Sequence, residues 1–231
     1  MIDTIEIGDI IRQATVWIIP VILAITLHEA AHGWAASRLG DPTARLMGRV
    51  TLNPIAHIDV FGTLILPAML LLFKAPFLFG YAKPVPVNFS RLNNPRRDMA
   101  LVAIAGPASN ILLALIAALL FHAVDFAPES AEAWLVENLR NLFLLNLVLA
   151  VFNMLPIPPL DGGRILVSLL PDRLAWRVAR LERAGLFIVI GVLFLLPFLA
   201  AQVGVTLDVA GALVWTPVET LASVIMAITG H

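Results

Sequence analysis

The chain has 231 residues, of which 60% are hydrophobic and only 13% are charged. Because ordinary soluble domains are about 45–50% apolar, this composition excludes a soluble protein and predicts an integral membrane protein. The net charge of -1 argues against a nucleic-acid partner, and the absence of cysteine excludes disulfides and thiolate metal sites. A bound metal would therefore need His, Asp or Glu ligands.

Runs of about 20 apolar residues predict membrane spans, because a helix of that length crosses about 30 Å of hydrocarbon. The clear runs are 14–37, 99–122, 139–160 and 184–203. A weaker run, 209–228, is interrupted by Pro217 and Glu219. The predicted fold class is an all-α polytopic membrane protein with about five to six transmembrane helices.

The distribution of basic residues predicts the orientation in the membrane. Most Lys and Arg residues lie in residues 38–59, 81–98 and 161–183, whereas residues 123–140 are mainly acidic. Because basic segments stay in the cytoplasm, we expect these three segments inside, and the N-terminus and the acidic segment outside.

The apolar stretch 60–80 contains Pro67, Lys74 and Pro76 and lies between two basic segments. If it crossed the membrane, those two segments would face opposite compartments. We therefore predict a re-entrant hairpin or a short β-segment at 60–90, in which protein or water satisfies the non-helical backbone. An ordinary spanning helix with a weak charge signal is a nearly equal alternative.

Two histidines and a glutamate, "HEAAH" at 28–32, lie inside the first apolar run. In a helix His28 and His32 share a face, about 6 Å apart, and Glu29 lies beside them. Two imidazoles at this spacing bind Zn²⁺, and the glutamate can act as general base towards a water molecule. The alternative, polar residues that join helices, explains less well why three ionisable groups share one apolar turn.

A third metal ligand has to come from elsewhere, because catalytic zinc usually has three protein ligands. The segment "NMLPIPPLDGG" at 153–163 ends the third clear run with prolines that cannot continue a helix. Asp161 alone would be typical of a helix N-cap. Its expected depth in the membrane, similar to that of His28, favours Asp161 as the third ligand.

Three segments together resemble the hallmarks of the site-2 protease family of intramembrane zinc metalloproteases: "HEAAH" at 28–32, "AGPASN" at 105–110 and "NMLPIPPLDGG" at 153–163. The resemblance covers most of residues 14–170. It implies one catalytic zinc ion bound by His28, His32 and Asp161. It also implies Glu29 as catalytic acid/base and Asn153 in substrate positioning or oxyanion stabilisation.

The resemblance further implies hydrolysis of peptide bonds within or near transmembrane segments of membrane proteins. Neither a PDZ nor a CBS module fits in the chain, so it resembles the compact bacterial branch. We expect a single domain over 1–231, with a catalytic core at 14–170 and C-terminal helices at 171–231. Single-span substrates, the bacterial inner membrane and a site towards the cytoplasm are expected, whereas no oligomeric state is indicated.

The proline-rich segment 79–88, "FGYAKPVPVN", offers a candidate substrate-binding edge. Prolines keep a segment out of the centre of a sheet, so its edge could pair with an unwound substrate through Tyr81, Lys83 and Val85. A connecting loop is the somewhat favoured alternative. Gly106 and Asn110 are at helix-packing spacing, which predicts close contact between helices rather than contact with substrate.

Two other classes of function also bury His, Glu and Asp in a membrane. A metal or proton transporter usually distributes ionisable residues along a path and has paired halves, whereas here they converge on one point. An inactive relative that binds membrane proteins would not need Glu29. Zinc-dependent proteolysis by the purified protein would distinguish the three.

Overall fold

The computed structural model describes residues 4–73 and 80–231, and helices dominate both parts. Its α-helices are α1 Thr4–Arg38, α2 Thr43–Leu46, α3 Leu66–Leu72, α4 Pro95–Phe121, α5 Glu129–Asn153, α6 Asp161–Leu169, α7 Asp172–Ala179, α8 Gly185–Ile190, α9 Leu196–Gln202 and α10 Thr216–Thr229. Turns of π-helix at Val60–Ile65, Gly191–Leu195 and Gly211–Trp215 lead directly into α3, α9 and α10. No strand occurs within 4–73 or 80–231, so the short β-segment predicted as one possibility at 60–90 is absent from the described part of that range.

Four helical stretches are long and apolar enough to cross a membrane: Ile11–Arg38, Pro95–Phe121, Glu129–Asn153 and Gly211–Thr229. A fifth is present if the bent pair formed by Asp172–Ala184 and Phe187–Gln202 is one broken span. These helices confirm the predicted all-α polytopic fold, with four spans, or five if the bent pair is one, where the sequence predicts about five to six.

The core is built from α1, α4 and α5, which pack against one another, while α10 covers α4 and α5. Small buried residues on α4, among them Ala103, Gly106 and Ala114, let the neighbouring helices approach closely. Because α1 carries the predicted zinc motif, this close packing brings α4 next to it.

The segment between His57 and Lys83 starts and ends at the same place in the fold. The Lys83 N–H donates to the His57 carbonyl at 2.9 Å, and the Tyr81 N–H donates to the Gly62 carbonyl at 3.0 Å. A helix that crossed from one compartment to the other would separate these ends. The hydrogen bonds therefore fit the predicted hairpin, and the alternative of an ordinary spanning helix does not agree with them.

The basic segments gather at one end of the molecule. Arg49 in the first segment donates to a backbone carbonyl of the second, and Arg96 in the second pairs with Asp172 of the third at 3.0 Å. At the other end, Arg12 near the start of α1 pairs with Glu137 of the acidic segment at 2.7 Å. The two ends thus separate basic from acidic segments, as the charge pattern predicts.

Candidate metal centre

The structure brings His28, His32 and Asp161 together in the interior. The two Nε2 atoms lie 3.0 Å apart, and the Asp161 Oδ2 atom lies 3.3 Å from that of His28 and 3.2 Å from that of His32. Tetrahedral zinc, with bonds of about 2.0–2.1 Å, separates its ligand atoms by about 3.3 Å. The three side chains are buried, and their spacing fits a zinc ion.

Hydrogen bonds at Nδ1 fix the orientation of both imidazoles. His32 Nδ1 lies 2.8 Å from the Val102 carbonyl oxygen, which can only accept a hydrogen bond. His28 Nδ1 lies 2.6 Å from Asn110 Oδ1, and the Asn110 amide nitrogen donates to Asn146 Oδ1 at 2.8 Å. Both Nδ1 atoms must therefore carry a hydrogen, so in the neutral imidazole form each Nε2 has a free lone pair.

Three acceptors consequently face one another: two Nε2 lone pairs and the carboxylate of Asp161. Oδ2 of Asp161 is buried and has no hydrogen-bond donor among the described residues. Buried acceptors without donors are unfavourable, and a cation between them would satisfy all three. The chemistry of this donor set thus agrees with a zinc site.

Two glycines hold Asp161 in place. A Cβ atom at Gly162 would clash with the Met154 carbonyl, and one at Gly163 would clash with the Pro158 backbone. The start of α6 can therefore pack directly on the proline-rich segment before it. The N-cap position of α6 is Leu160 and Asp161 is its first helical residue, so the N-cap alternative does not describe Asp161.

The absence of a side chain at Gly106 leaves room for the two imidazole rings. A Cβ atom here would clash with Nε2 of His32 and lie 2.6 Å from Cε1 of His28. The sequence predicts close helix contact at Gly106, and the contact is with the imidazoles themselves. Asn110 has a role that the sequence does not reveal, because its spacing on α4 does not show that it faces His28.

A small cavity of about 110 Å³ lies at the metal centre. Besides the three candidate ligands, its lining consists of Glu29, Pro84, Val85, Val87, Asn153, Pro159 and Arg164. Oε2 of Glu29 accepts a hydrogen bond of 2.7 Å from the Val85 N–H, and the Asn153 amide donates to the Leu149 carbonyl at 3.0 Å. Glu29 and Asn153 therefore face the same cavity as the candidate ligands.

The three predicted substrate-binding residues lie in different places. Val85 lines the cavity at the metal centre, whereas Tyr81 lines a separate apolar cavity of about 530 Å³ between α1, α5 and the helix that begins at Gly185. The Lys83 side chain is exposed and lines neither. Of these three residues, only Val85 is thus brought to the metal centre.

Replacing Asn110 by Leu should weaken zinc binding about 10–100-fold, the usual effect of losing a hydrogen-bond partner behind a ligand. Without Asn110 Oδ1, His28 Nδ1 loses its acceptor and the ring is free to turn. The zinc dissociation constant, measured by competition with a chelator, checks this. Ser109→Ala on the same helix is the control, because the Ser109 hydroxyl donates to the Gly106 carbonyl and not to a candidate ligand. Equal affinities in the Asn110 variant and the wild type would contradict the expectation.

Comparison with known proteins tests the resemblance noted in the sequence. Residues 16–128 and 121–198 match the model of peptidase family M50, which covers most of the chain. The chain belongs to peptidase family M50. YwhC of Bacillus subtilis is 42% identical to this M50 chain over 184 residues, which are 78% of the chain and 80% of YwhC.

More distant relatives agree with the family assignment. Rip2 of Mycolicibacterium smegmatis is 30% identical over 77% of this chain and 66% of its own length. Rip2 and YwhC are both named as zinc metalloproteases. Stage IV sporulation protein FB of Bacillus subtilis is 29% identical over 68% of the chain and 52% of its own length. No solved structure matches the chain.

Family membership confirms the predicted activity and cofactor. This M50 protein is a zinc metalloprotease that hydrolyses peptide bonds within or near transmembrane segments of membrane proteins, and it works in the lipid bilayer. The resemblance to site-2 proteases is thereby confirmed.

Proposed function

We propose that His28, His32 and Asp161 bind the one catalytic zinc ion and that Glu29 is the catalytic acid/base. The observation that carries this proposal is the meeting of three ligand atoms within 3.3 Å, next to the Glu29 carboxylate. When bound, zinc supplies Lewis-acid chemistry, because it polarises a carbonyl group and lowers the pKa of water. The chain's own residues supply the proton transfers and the positioning.

Glu29 moves the proton. Its carboxylate takes a proton from the attacking water and returns it to the nitrogen of the leaving amine. The Val85 N–H holds Oε2, so the orientation of the carboxylate is set before substrate arrives. Asn153, whose side chain lines the same cavity, positions the substrate or donates its amide N–H to the oxyanion.

The substrates are single-span membrane proteins with helix-weakening residues near the cut. A peptide bond in an intact helix is hydrogen-bonded and shielded, so the substrate helix must unwind locally before hydrolysis. Residues 80–88 run past the cavity without regular secondary structure, and Val85 and Val87 line it, which supports contact of this segment with an unwound substrate. Val85 contacts the substrate at the cavity, and Tyr81 and Lys83 contact its flanking residues.

The active site faces the cytoplasmic side of the bacterial inner membrane. His32 is six residues, or about 9 Å, from Arg38 at the basic end of α1. Because basic segments stay in the cytoplasm, this depth supports a site near that face. Residues 1–231 act as one domain, in which the core at 14–170 holds the site and the helices at 171–231 flank it.

Proteolysis of a defined substrate tests the proposal. The purified protein, reconstituted in vesicles with a single-span substrate, should cleave it, lose activity when a chelator removes zinc, and recover when zinc is restored. The soluble domain of the same substrate, offered alone, is the matched control and should stay intact. Cleavage that survives zinc removal, or equal cleavage of the soluble domain, would contradict the proposal.

A further inference from the structure

Arg49, in the connection that follows α2, carries a buried positive charge without a counter-ion. It is 8% exposed, and no carboxylate of the described residues forms a salt bridge with it. Its Nη2 donates to the Lys83 carbonyl at 2.8 Å and to the Pro84 carbonyl at 3.4 Å. Burying an unpaired charge is costly, and the hydrogen bonds to these two carbonyls offset part of that cost.

The backbone that Arg49 holds leads straight to the catalytic cavity. The next residue, Val85, donates its N–H to Oε2 of Glu29 at 2.7 Å. Its side chain packs on Gly33, where a Cβ atom would lie 3.1 Å from Cγ1 of Val85. Glu29 and Gly33 are one turn apart on α1, so Val85 lies along the same helix turn as His32.

Asp41 secures the other end of this segment. It is fully buried, and its Oδ2 accepts a hydrogen bond of 2.6 Å from the Asn88 N–H. The connection after α1 thus holds residues 83–88 at both ends. Arg49 donates to the carbonyls at the start of this segment, and Asp41 accepts from the backbone amide of Asn88 at its end. The part between these contacts is the part that faces Glu29.

We propose that Arg49 is a positioning residue for proteolysis. By holding the carbonyls of Lys83 and Pro84, it places the Val85 N–H against Glu29 and so sets the position of the carboxylate relative to the scissile peptide. Arg49 acts through Val85 and does not touch substrate. The inference rests on the proposed role of Glu29 as acid/base.

The test uses Arg49→Met in the full-length protein, with kcat and KM for a single-span substrate, zinc content and the mobility of residue 83. A small misplacement of a catalytic group lowers the rate up to about 100-fold, so kcat should fall about tenfold or more. KM and zinc content should change little. Because the chain has no cysteine, a spin label on Lys83→Cys is site-specific, and it should gain mobility.

Matched variants separate positioning from general damage. Arg49→Lys keeps a donor and should recover part of kcat. Arg45→Met removes an exposed arginine from α2 and should leave kcat and label mobility unchanged. Wild-type kcat with an immobile label in Arg49→Met would overturn the proposal.

A second variant decides the matter if Arg49→Met does not fold. Val85→Pro removes the N–H that reaches Glu29, and it should lower kcat about tenfold or more while zinc stays bound. Full kcat in that variant overturns the inference. Glu29→Gln is measured in parallel: if it is inactive while Arg49→Met is fully active, only this inference fails, whereas an active Glu29→Gln refutes the proposed function.

Discussion

Replacing Glu29 by Gln is expected to abolish proteolysis while the protein keeps its zinc. Glutamine has nearly the same shape as glutamate but cannot take up the proton, so the expected loss is that of a general acid/base, about 10²–10⁴-fold. Zinc stays bound because the three converging ligand atoms belong to His28, His32 and Asp161, and none belongs to Glu29. Cleavage rate and zinc content, measured on the same purified sample, check both halves of this expectation.

Glu132→Gln is the matched control, because Glu132 is exposed at the start of α5, far along the chain from the motif. It should cleave at the wild-type rate. In cells, the inactive but folded Glu29 variant should accumulate uncleaved substrates, which comparative membrane proteomics can identify. Undiminished cleavage by the Glu29 variant would remove its assigned role.

Replacing Asp161 by Ala is expected to release zinc and thereby end proteolysis. The change deletes one of three ligand atoms, so the loss of zinc affinity should exceed the 10–100-fold typical of losing an outer partner. The two histidines remain in place because Val102 and Asn110 hold their Nδ1 atoms. Zinc content after dialysis, and competition with a chelator, measure the loss.

Asp172→Ala serves as the control for this experiment. Asp172 begins α7, and its carboxylate pairs with Arg96 at the protein surface. Its removal should leave zinc content and cleavage unchanged, because exposed ion pairs contribute little to stability. Wild-type zinc affinity in the Asp161 variant would show that the third ligand lies elsewhere.

The local part of the site follows from the sequence by helix geometry alone. His28, Glu29 and His32 lie in one apolar run, and the four-residue spacing places both imidazoles on one face whatever the rest of the fold. The positions of the long spans are predictable for a similar reason, since length and hydropathy decide them. The distribution of basic and acidic residues along the chain likewise predicts which segments lie together at each end of the molecule.

The long-range part of the site does not follow from spacing. Asn110 lies 82 residues from His28 in the chain, and only the packing of α4 on α1 brings its oxygen to the imidazole. Asp161 could be selected from sequence because the resemblance and the expected depth agree. Its contacts with His28 and His32 on α1, and its dependence on Gly162 and Gly163, became visible only in the fold.

Arg49 illustrates the same limit. In the sequence it counts as one positive charge that helps to orient the chain. In the fold it is buried and bonded to backbone carbonyls 34 and 35 residues away. The hydrogen bond between Lys83 and His57 explains this, since it brings Lys83 and Pro84 next to the connection that carries Arg49.

X-ray absorption at the zinc edge, measured on the wild type and on Asp161→Ala, can show whether two distant parts of the chain share one zinc ion. A shared ion predicts two imidazoles and a carboxylate oxygen at about 2.0–2.2 Å in the wild type, and a Zn²⁺ signal that is lost or altered in the variant. Identical spectra from both proteins, or a wild-type spectrum without imidazole, would contradict it.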